Sequence, residues 1–392
     1  MMRVLSVVHY PMFGGPHNRN MRLAPVLRGL GVDTTVLLPD EPGNAAARLT
    51  ESGVDVRTLP LTRIRASRQL RPHVQLLRNF PAEVSAIRKL IEHLRIDVVQ
   101  LNGLVNSQAA FAARRAGVPV VWQILDTYTP TVLRTVLAPV VRRYADVVMC
   151  TGLRVADEHP GVVKTSDRLV NFFPPVDIDL FQASPAQKKE VRKALGVEDA
   201  ALVVGTVGNI NFQKGHDNFI RAAAALKKKV PGAKFLLLGS SHDNHGEYID
   251  GLWRLAAELG LHLGEDLIVR DPTGHVQELV QAMDVFWMTP RPRSEGIPTA
   301  MEEAMALGLP VVSFDVGSIC ELVENDRTGY LVSTQDSNLV ADITFDRLMD
   351  SEKRTSLGAR GREFIEKNAS LHACAKRHVS AYDLARSLHD NK

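Results

Sequence analysis

Short apolar runs alternate with amphipathic segments along almost the whole chain. The runs have the length and the β-branched and aromatic content of strands buried on both faces of a parallel sheet. They include Arg3–Tyr10, Val118–Tyr128, Ala145–Gly152, Lys234–Ser241 and Ala282–Met288. The segments between them place apolar residues at helical spacing. This alternation predicts an α/β fold built on parallel sheets.

The alternation runs twice, with a break between the two rounds. The first round opens at Arg3 and the second at Ala201, and the break holds the paired prolines Pro174 and Pro175. Two prolines fix the direction of the chain, as expected of a linker. With 392 residues, the chain is long enough for two domains. We expect them to span residues 1–178 and 179–371.

The most informative stretch follows the predicted strand Ala282–Met288. Its loop leads into a helix that we expect to begin near Pro298–Thr299 and to end at Gly308. The unpaired N–H groups of a helix start attract anions, and Gly296 lets the backbone approach a ligand. Two carboxylates, Glu295 and Glu303, frame this point and suit sugar hydroxyls. The pattern describes a nucleotide-sugar site; alternatively, the acids are solvated residues favoured near any helix start.

Two other loops hold candidate phosphate ligands. Lys214 follows the predicted strand Ala201–Ile210 and can neutralise a diphosphate as a point charge, or it can be a surface lysine. Gly14 and Gly15 follow the first strand and either bring backbone amides to a ligand or form a tight turn. That loop lacks the G-x-G-x-x-G pattern, so an NAD enzyme is poorly supported.

The string E-G-I-P-x-x-x-x-E-A-M-A-x-G-x-P-V-V at 295–312, with G-x-x-x-E after it, resembles the donor-binding signature of the retaining glycosyltransferases of family four. The resemblance implies the GT-B fold, with two Rossmann-like doubly wound domains facing across a cleft. The first domain would bind the acceptor and the second the nucleotide sugar. A C-terminal helix, about 372–392, would pack back on the first domain.

The resemblance also implies roles for individual residues. It makes Lys214, Glu295 and Asp126 catalytic, and His17 and Asn18 acceptor-binding. The implied donor-binding residues are Gly14, Gly15, Gly208, Asn209, Lys214, Arg270, Glu295, Gly296, Ile297, Pro298, Thr299 and Glu303. The diphosphate would leave on the face that the acceptor attacks, so the anomeric configuration is retained. No metal or cofactor is required, because Lys214 takes the place of the cation.

Two positions depart from the family pattern. Leu125 stands where related enzymes often carry a histidine, and Asn209 stands where they carry an arginine. Asp126, next to Leu125, is either the matching sugar-binding acid or a capping aspartate. The charge missing at Asn209 would have to come from Lys214 and the helix start, with Arg291 or Arg293 as candidates to compensate.

Charge is unevenly distributed along the chain. Residues 1–185 contain 22 Lys and Arg against 15 Asp and Glu, whereas the net charge of the whole chain is +3. Within 61–95, eight basic residues (Arg63, Arg65, Arg68, Arg71, Arg78, Arg88, Lys89 and Arg95) face two acidic ones. This segment indicates either a solvated helix face or an anionic partner such as a membrane surface.

Composition indicates a cytoplasmic protein. The three cysteines, Cys150, Cys320 and Cys374, are far apart and have no metal-ligand spacing, as expected of reduced thiols. The N-terminus does not have the pattern of a signal peptide, and no apolar run is long enough to span a membrane. We therefore expect a cytoplasmic protein, with the basic first domain contacting the inner face of a membrane.

The sequence thus predicts a retaining, metal-independent hexosyltransferase. Its donor would be a UDP-sugar such as UDP-glucose, preferred over a GDP-sugar, and its acceptor a polysaccharide or lipid-linked glycan. Nucleic acid is not an expected partner. Two alternatives stay open: a sugar-nucleotide epimerase of the same fold, and a non-catalytic protein that binds nucleotide sugars.

Overall fold

The structure is a computed structural model that describes residues 1–63, 70–240, 246–292 and 295–391. For residues 70, 72 and 73 it describes the backbone only. The chain divides into two compact units. The first consists of residues 1–175 and 371–392, and the second of residues 176–370.

The first unit is built on a seven-stranded parallel sheet with the order β3-β2-β1-β4-β5-β6-β7. The strands are β1 (Met2–Val8), β2 (Val32–Pro39), β3 (Asp55–Leu59), β4 (Val98–Asn102), β5 (Val120–Ile124), β6 (Val147–Cys150) and β7 (Leu169–Asn171). The helices are α1 (Gly15–Gly29), α2 (Ala45–Glu51), α3 (Leu70–Leu94), α4 (Ser107–Ala116), α5 (Thr131–Tyr144), α6 (Leu153–Asp157) and, from the end of the chain, α14 (Leu371–Asp390).

Helices cover both faces of this sheet. The apolar faces of α3, α4 and α5 pack around Trp122, while α1 and α14 pack on a second cluster around Phe172 and Tyr382. Central strands buried on both faces read as continuous apolar runs, which is why the sequence predicts them. The C-terminal helix is also tied to the sheet by polar groups, since the Tyr382 hydroxyl donates to Oε1 of Gln100 at 2.6 Å.

The second unit contains a six-stranded parallel sheet with the order β10-β9-β8-β11-β12-β13. The strands are β8 (Val203–Val207), β9 (Lys234–Leu238), β10 (Leu267–Arg270), β11 (Val285–Met288), β12 (Val311–Phe314) and β13 (Gly329–Val332). The helices are α7 (Pro185–Ala194), α8 (His216–Lys229), α9 (Gly246–Glu258), α10 (Val276–Leu279), α11 (Thr299–Ala306), α12 (Ser337–Leu348) and α13 (Ser351–Asn368). Among the described residues, 3₁₀ turns span Val163–Arg168 in the first unit and Phe212–Lys214, Val280–Ala282 and Ile319–Glu321 in the second.

These two Rossmann-like sheets confirm the predicted fold class. The observed strands are shorter than the predicted ones: the predicted strand Ala201–Ile210 is β8, Val203–Val207. Gly208 and the polar Asn209 belong to the loop after β8, although the apolar pattern predicts them as part of the strand. In the described parts of the chain, no helix combines the length and apolar character needed to cross a bilayer.

Candidate functional site

Two loops come together at the carboxyl edge of the second sheet, between β8 and β11. From β8 the chain crosses through α8 to β9 on one side, and from β11 it crosses through α11 to β12 on the other. In open α/β sheets this reversal leaves a crevice beyond the strand ends, and ligands bind there. The loop after β8 (208–215) and the loop after β11 (289–298) border this crevice.

An ion pair joins the two loops. Nζ of Lys214 lies 2.7 Å from Oε1 of Glu295, whose side chain is 8% exposed. The backbone adds a second link, because the amide of Arg291 donates to the carbonyl of Gln213 at 2.9 Å. An ammonium has three N–H donors. Lys214 therefore has further donors for an anion while it holds Glu295.

The loop after β8 is fixed by polar contacts on both sides of Lys214. Oδ1 of Asn211 accepts from the Lys214 amide at 3.2 Å. Nε2 of the buried His216 donates to the carbonyl of Asn209 at 3.1 Å. Burial lowers the pKa of His216 to about 4, so its ring is neutral near pH 7 and acts only as a hydrogen-bonding anchor.

A turn that follows β12 packs against the loop after β11. Gly317 has a φ of +58°, and a Cβ there would lie 2.2 Å from the carbonyl oxygen of Glu295. The amide of Ser318 donates to the carbonyl of Gly296 at 3.0 Å. Only glycine permits this close approach of two backbones. The backbone that carries Glu295 is therefore fixed.

Helix α11 begins at Thr299, as predicted from the sequence, and Gly308 follows its end with a φ of +74°. Pro298 is the N-cap residue, and it makes no side-chain capping hydrogen bond. Glu303 lies in the second turn and is 8% exposed, while its neighbour Glu302 is fully buried. The structure thus places Glu295, the helix start and Glu303 along one segment, with Gly296, Ile297 and Pro298 buried between them.

The other predicted donor residues of the second unit, Gly208, Asn209 and Arg270, lie at the same edge of the sheet or near it. Gly208 sits beside Lys214, whose Cδ would be 3.2 Å from a Cβ at that glycine. The Asn209 side chain is exposed. Arg270 ends β10 with an exposed side chain that donates to the carbonyl of Val269 at 2.8 Å.

Arg291, a candidate to compensate for Asn209, is engaged elsewhere. Its guanidinium forms an ion pair with Asp217 and lies over the ring of Phe212, 4.7 Å from the centroid. The hydroxyl of Tyr248 lies 3.5 Å from Oδ1 of Asp217. Arg293, the other candidate, lies outside the described residues.

In the first unit, the loop after β1 is closed by His17. Its Nδ1 accepts from the amide of Gly14 at 3.1 Å, and its Nε2 donates to the carbonyl of Tyr10 at 2.8 Å. Asn18 is half-buried in the first turn of α1. Gly14 and Gly15 are exposed, and a Cβ at either would meet no atom within 4 Å. Packing within the protein therefore does not require glycine at these two positions.

Asp126 follows β5 and is exposed. Its Oδ1 accepts from the amide of Tyr128 at 3.0 Å, a local turn that precedes α5, whose N-cap residue is Pro130. In the basic segment, Arg63 pairs with Glu41 at 2.8 Å and Arg88 lies 3.6 Å from Glu92. Arg65 and Arg68 lie outside the described residues.

Sequence reasoning did not single out the residues that support the site, above all His216 and Thr289. A Cβ at Gly215 would lie 2.0 Å from the Thr289 carbonyl oxygen, and Nδ2 of Asn218 donates to the same oxygen at 3.3 Å. The only signal in the sequence was the proximity of these residues to Lys214 and to the end of a strand. Among the described residues, no group of three His, Cys, Asp or Glu side chains could hold a metal ion.

Two family descriptions match this chain. Residues 187–364 match "Glycosyl transferases group 1", and residues 14–165 match "Glycosyl transferase 4-like domain". One match lies in each compact unit, and together they cover most of the chain. The protein therefore belongs to the group 1 glycosyltransferases, the family that its donor stretch resembles, and its two sheets are those of the GT-B fold.

Curated relatives are similar over part of their length. A GDP-mannose-dependent alpha-(1-6)-phosphatidylinositol monomannoside mannosyltransferase of Mycobacterium tuberculosis is 29% identical over 202 residues, which are 50% of this chain and 51% of the relative. The lipopolysaccharide core biosynthesis mannosyltransferase LpsB of Rhizobium meliloti is 30% identical over 210 residues, 53% of this chain and 58% of the relative. The chain thus spans about half the length of these relatives.

Solved structures match over nearly the whole chain. HepE (Alr3699) of Anabaena in complex with UDP has a TM-score of 0.81 and 20% identity, and the match covers 98% of this chain and 100% of HepE. A glycosyltransferase from Rickettsia africae also has a TM-score of 0.81, with 16% identity and 98% of both chains covered. These likenesses establish the fold.

Proposed function

We propose that the protein is a retaining, metal-independent glycosyltransferase that transfers a hexose from a nucleoside diphosphate sugar to a glycan or lipid-linked acceptor. The observation that carries the proposal is the 2.7 Å pair between Lys214 and Glu295. It lies at the crevice of the second sheet, beside the start of α11. A nucleoside diphosphate sugar has a diphosphate between two groups that carry hydroxyls, the ribose and the sugar. A cation and a helix start can bind the diphosphate, and two buried carboxylates can bind the hydroxyls.

In the proposed complex, Lys214 and the first amides of α11 bind the diphosphate. The charge on the leaving group grows as the glycosidic bond breaks, so groups fixed in place before the reaction stabilise the transition state most. Lys214 is fixed by Glu295 and by the loop bonds of Asn211. Lys214 and the helix start provide the phosphate contacts, because Arg291 is paired with Asp217 and Asn209 carries no charge.

Glu295 binds hydroxyls of the transferred sugar, and Glu303 binds the ribose. Both side chains are largely buried, where a carboxylate that accepts two hydrogen bonds contributes more than it does in water. Gly208, Arg270 and the segment from Gly296 to Thr299 complete the donor site by backbone contacts. The acceptor hydroxyl attacks from the face that the diphosphate leaves, and the departing diphosphate takes its proton.

The first unit binds the acceptor in this proposal, through the loop of His17 and Asn18 and through Asp126. An added Cβ at Gly14 or Gly15 would meet no described atom within 4 Å. This open space supports a role for the two glycines in ligand contact. The names of the curated relatives include phospholipid and lipopolysaccharide acceptors. A lipid-linked acceptor would bring the basic first unit to an anionic membrane surface.

The donor is a nucleoside diphosphate hexose. UDP-sugars such as UDP-glucose are preferred as the commoner donors, and a structure of HepE contains UDP-glucose, whereas the Mycobacterium tuberculosis relative is named for GDP-mannose. The test is to incubate the purified protein with each donor, with and without glycan and lipid-linked acceptors, in the presence of EDTA. We expect an α-linked product only when both substrates are present. Conversion of donor alone would indicate an epimerase, and binding without any product would indicate a non-catalytic protein.

A further inference from the structure

The first sheet has a crevice of the same kind, between β1 and β4. The chain leaves β1 through α1 towards β2 and leaves β4 through α4 towards β5, in opposite directions. His9 directly follows β1, and Asn106 lies in the loop after β4. These two loops correspond to the ones that carry Lys214 and Glu295 in the second unit. Their position alone makes the His9–Asn106 pair a ligand-binding candidate.

The hydrogen bonds around Asn106 fix the tautomer of His9. Nδ2 of Asn106 donates to the carbonyls of Asn102 at 2.8 Å and Gly103 at 2.9 Å. Its Oδ1 is therefore the atom that faces His9, and it is hydrogen-bonded to Nδ1. An amide oxygen can only accept, so Nδ1 carries the ring proton. The other ring nitrogen, Nε2, is left with a lone pair.

This lone pair has no partner of its own. His9 is fully buried, and among the residues that the structure describes Nε2 has no hydrogen-bond partner. Burial lowers the pKa of His9 to about 4, so the ring stays neutral and Nε2 remains an acceptor near pH 7. A buried acceptor without a donor destabilises a fold. An orphan of this kind calls for an explanation.

A polar cavity of about 340 Å³ lies in the same unit, and His9 is not one of the residues that line it. Glu41 and Arg63, two of its lining residues, are close enough to influence the charge of His9, and they pair with each other at 2.8 Å. The polar residues that line the cavity are Asp40, Glu41, Thr62, Arg63, Gln75 and Asn79. Two carboxylates against one paired guanidinium disfavour a phosphate. The lining suits a ligand that both donates and accepts hydrogen bonds.

We propose that Nε2 of His9 accepts a hydrogen bond from a hydroxyl of the acceptor substrate, and that the nearby cavity lined by Glu41 and Arg63 holds the polyol ring to which this hydroxyl belongs. The inference rests on the proposed function, because it names the part of the acceptor that the first unit recognises. A hydroxyl satisfies the orphan lone pair, whereas a phosphate oxygen would repel it. Because Nε2 is covered in the free protein, the side chains around it must move when the ligand binds.

The direct test is an NMR spectrum of the full chain with ¹⁵N-labelled histidine, with the His9 signals assigned from the His9→Gln variant. We expect the Nδ1-protonated tautomer of His9 in the free protein. Methyl α-mannoside or myo-inositol should shift the Nε2 signal, and inorganic phosphate should not. A ring protonated on Nε2 would overturn the proposal. So would polyols that shift other signals but leave His9 Nε2 unchanged, because an ordered water would then be its partner.

A kinetic test uses His9→Phe, which keeps the ring volume and removes the lone pair together with the Nδ1–H group that binds Asn106. We expect the acceptor KM to rise about tenfold, the effect of one lost hydrogen bond, while the affinity for UDP or GDP is unchanged. His159→Phe is the matched control, because His159 is also buried in the first unit and its Nδ1 donates to the carbonyl of Val155 in the preceding helix α6. An unchanged acceptor KM in folded His9→Phe contradicts the inference.

The two proposals fail in different ways. If the protein transfers no sugar at all, the proposed function is wrong, and the polyol titration of His9 still reports on the cavity. If transfer proceeds but His9 responds to neither test, only this inference is wrong.

Discussion

The α-carbon of Gly215 approaches the carbonyl oxygen of Thr289 so closely that a Cβ on this glycine would lie 2.0 Å from that oxygen. Gly215 ends the loop that carries Lys214, and Thr289 begins the loop that carries Glu295. The contact therefore fixes the spacing of the two loops that hold the proposed diphosphate site.

Substitution of Gly215 by alanine should be strongly destabilising. The residue has a φ of +65°, and an alanine in this conformation lowers the free energy of unfolding by about 1–2 kcal/mol. The clash with Thr289 lowers it further. We expect a total loss of about 3 kcal/mol or more in the free energy of unfolding, measured by urea denaturation.

The matched control is Gly260→Ala. Gly260 has a similar φ of +75°, but a Cβ there would meet nothing within 4 Å. Gly260→Ala should lose only the conformational part of the free energy of unfolding, about 1–2 kcal/mol. Equal losses in the two variants would show that the close approach between the loops does not contribute.

Removal of the Lys214 ammonium should abolish transfer without unfolding the protein. Lys214→Ala takes away the proposed counter-charge of the leaving diphosphate, and we expect turnover to fall by about 10²–10³. Lys227→Ala is a suitable control, since Lys227 forms an ion pair with Asp266 in the same unit but is not part of the proposed site. Wild-type turnover in folded Lys214→Ala would refute this role.

Glu303→Ala should weaken nucleotide binding rather than turnover of bound donor. Loss of a carboxylate that binds the ribose removes one or two charge-assisted hydrogen bonds, about 1.5–3 kcal/mol, or roughly 10- to 100-fold in Kd. Isothermal calorimetry with UDP and GDP measures this. Glu258→Ala, at the exposed end of α9, should bind like the wild type, and wild-type affinity in Glu303→Ala would count against the ribose contact.

Stability should fall with acid, partly through His216. Burial lowers its pKa from 6.5 to about 4, so between these values the unfolded chain binds a proton that the folded chain does not. The stabilisation is complete above about pH 6.5 and is lost as the pH falls towards 4. Between about pH 7 and pH 5, the free energy of unfolding of His216→Gln should fall by about 2 kcal/mol less than that of the wild type. Equal decreases in the two proteins, measured by urea denaturation, would contradict this.

Much of the second unit could be predicted because its signals are local. Pro298 and Gly308 bound α11 within a short stretch of sequence, and the apolar run that contains β11 needs no distant partner to be recognised. The strand ends were less accurate, as at Val207, because an apolar pattern does not reveal where hydrogen bonding between strands stops.

The contacts that build the site could not be predicted in the same way. Lys214 and Glu295 are 81 positions apart, and the pairing of Arg291 with Asp217 depends on how two loops fold over each other. The orphan nitrogen of His9 is visible only once Asn106 is seen to fix its tautomer. Such relationships follow from the strand order, which the sequence pattern does not specify.

Central to the proposed function is the binding of a nucleotide sugar between Lys214 and the start of α11. The most direct measurement is a crystal structure of the protein soaked with UDP-glucose or GDP-mannose. We predict that the diphosphate oxygens lie within hydrogen-bonding distance of Lys214 Nζ and the amides of Thr299 and Ala300, with the sugar at Glu295. A diphosphate bound elsewhere, with these groups in contact only with protein, would contradict this binding mode.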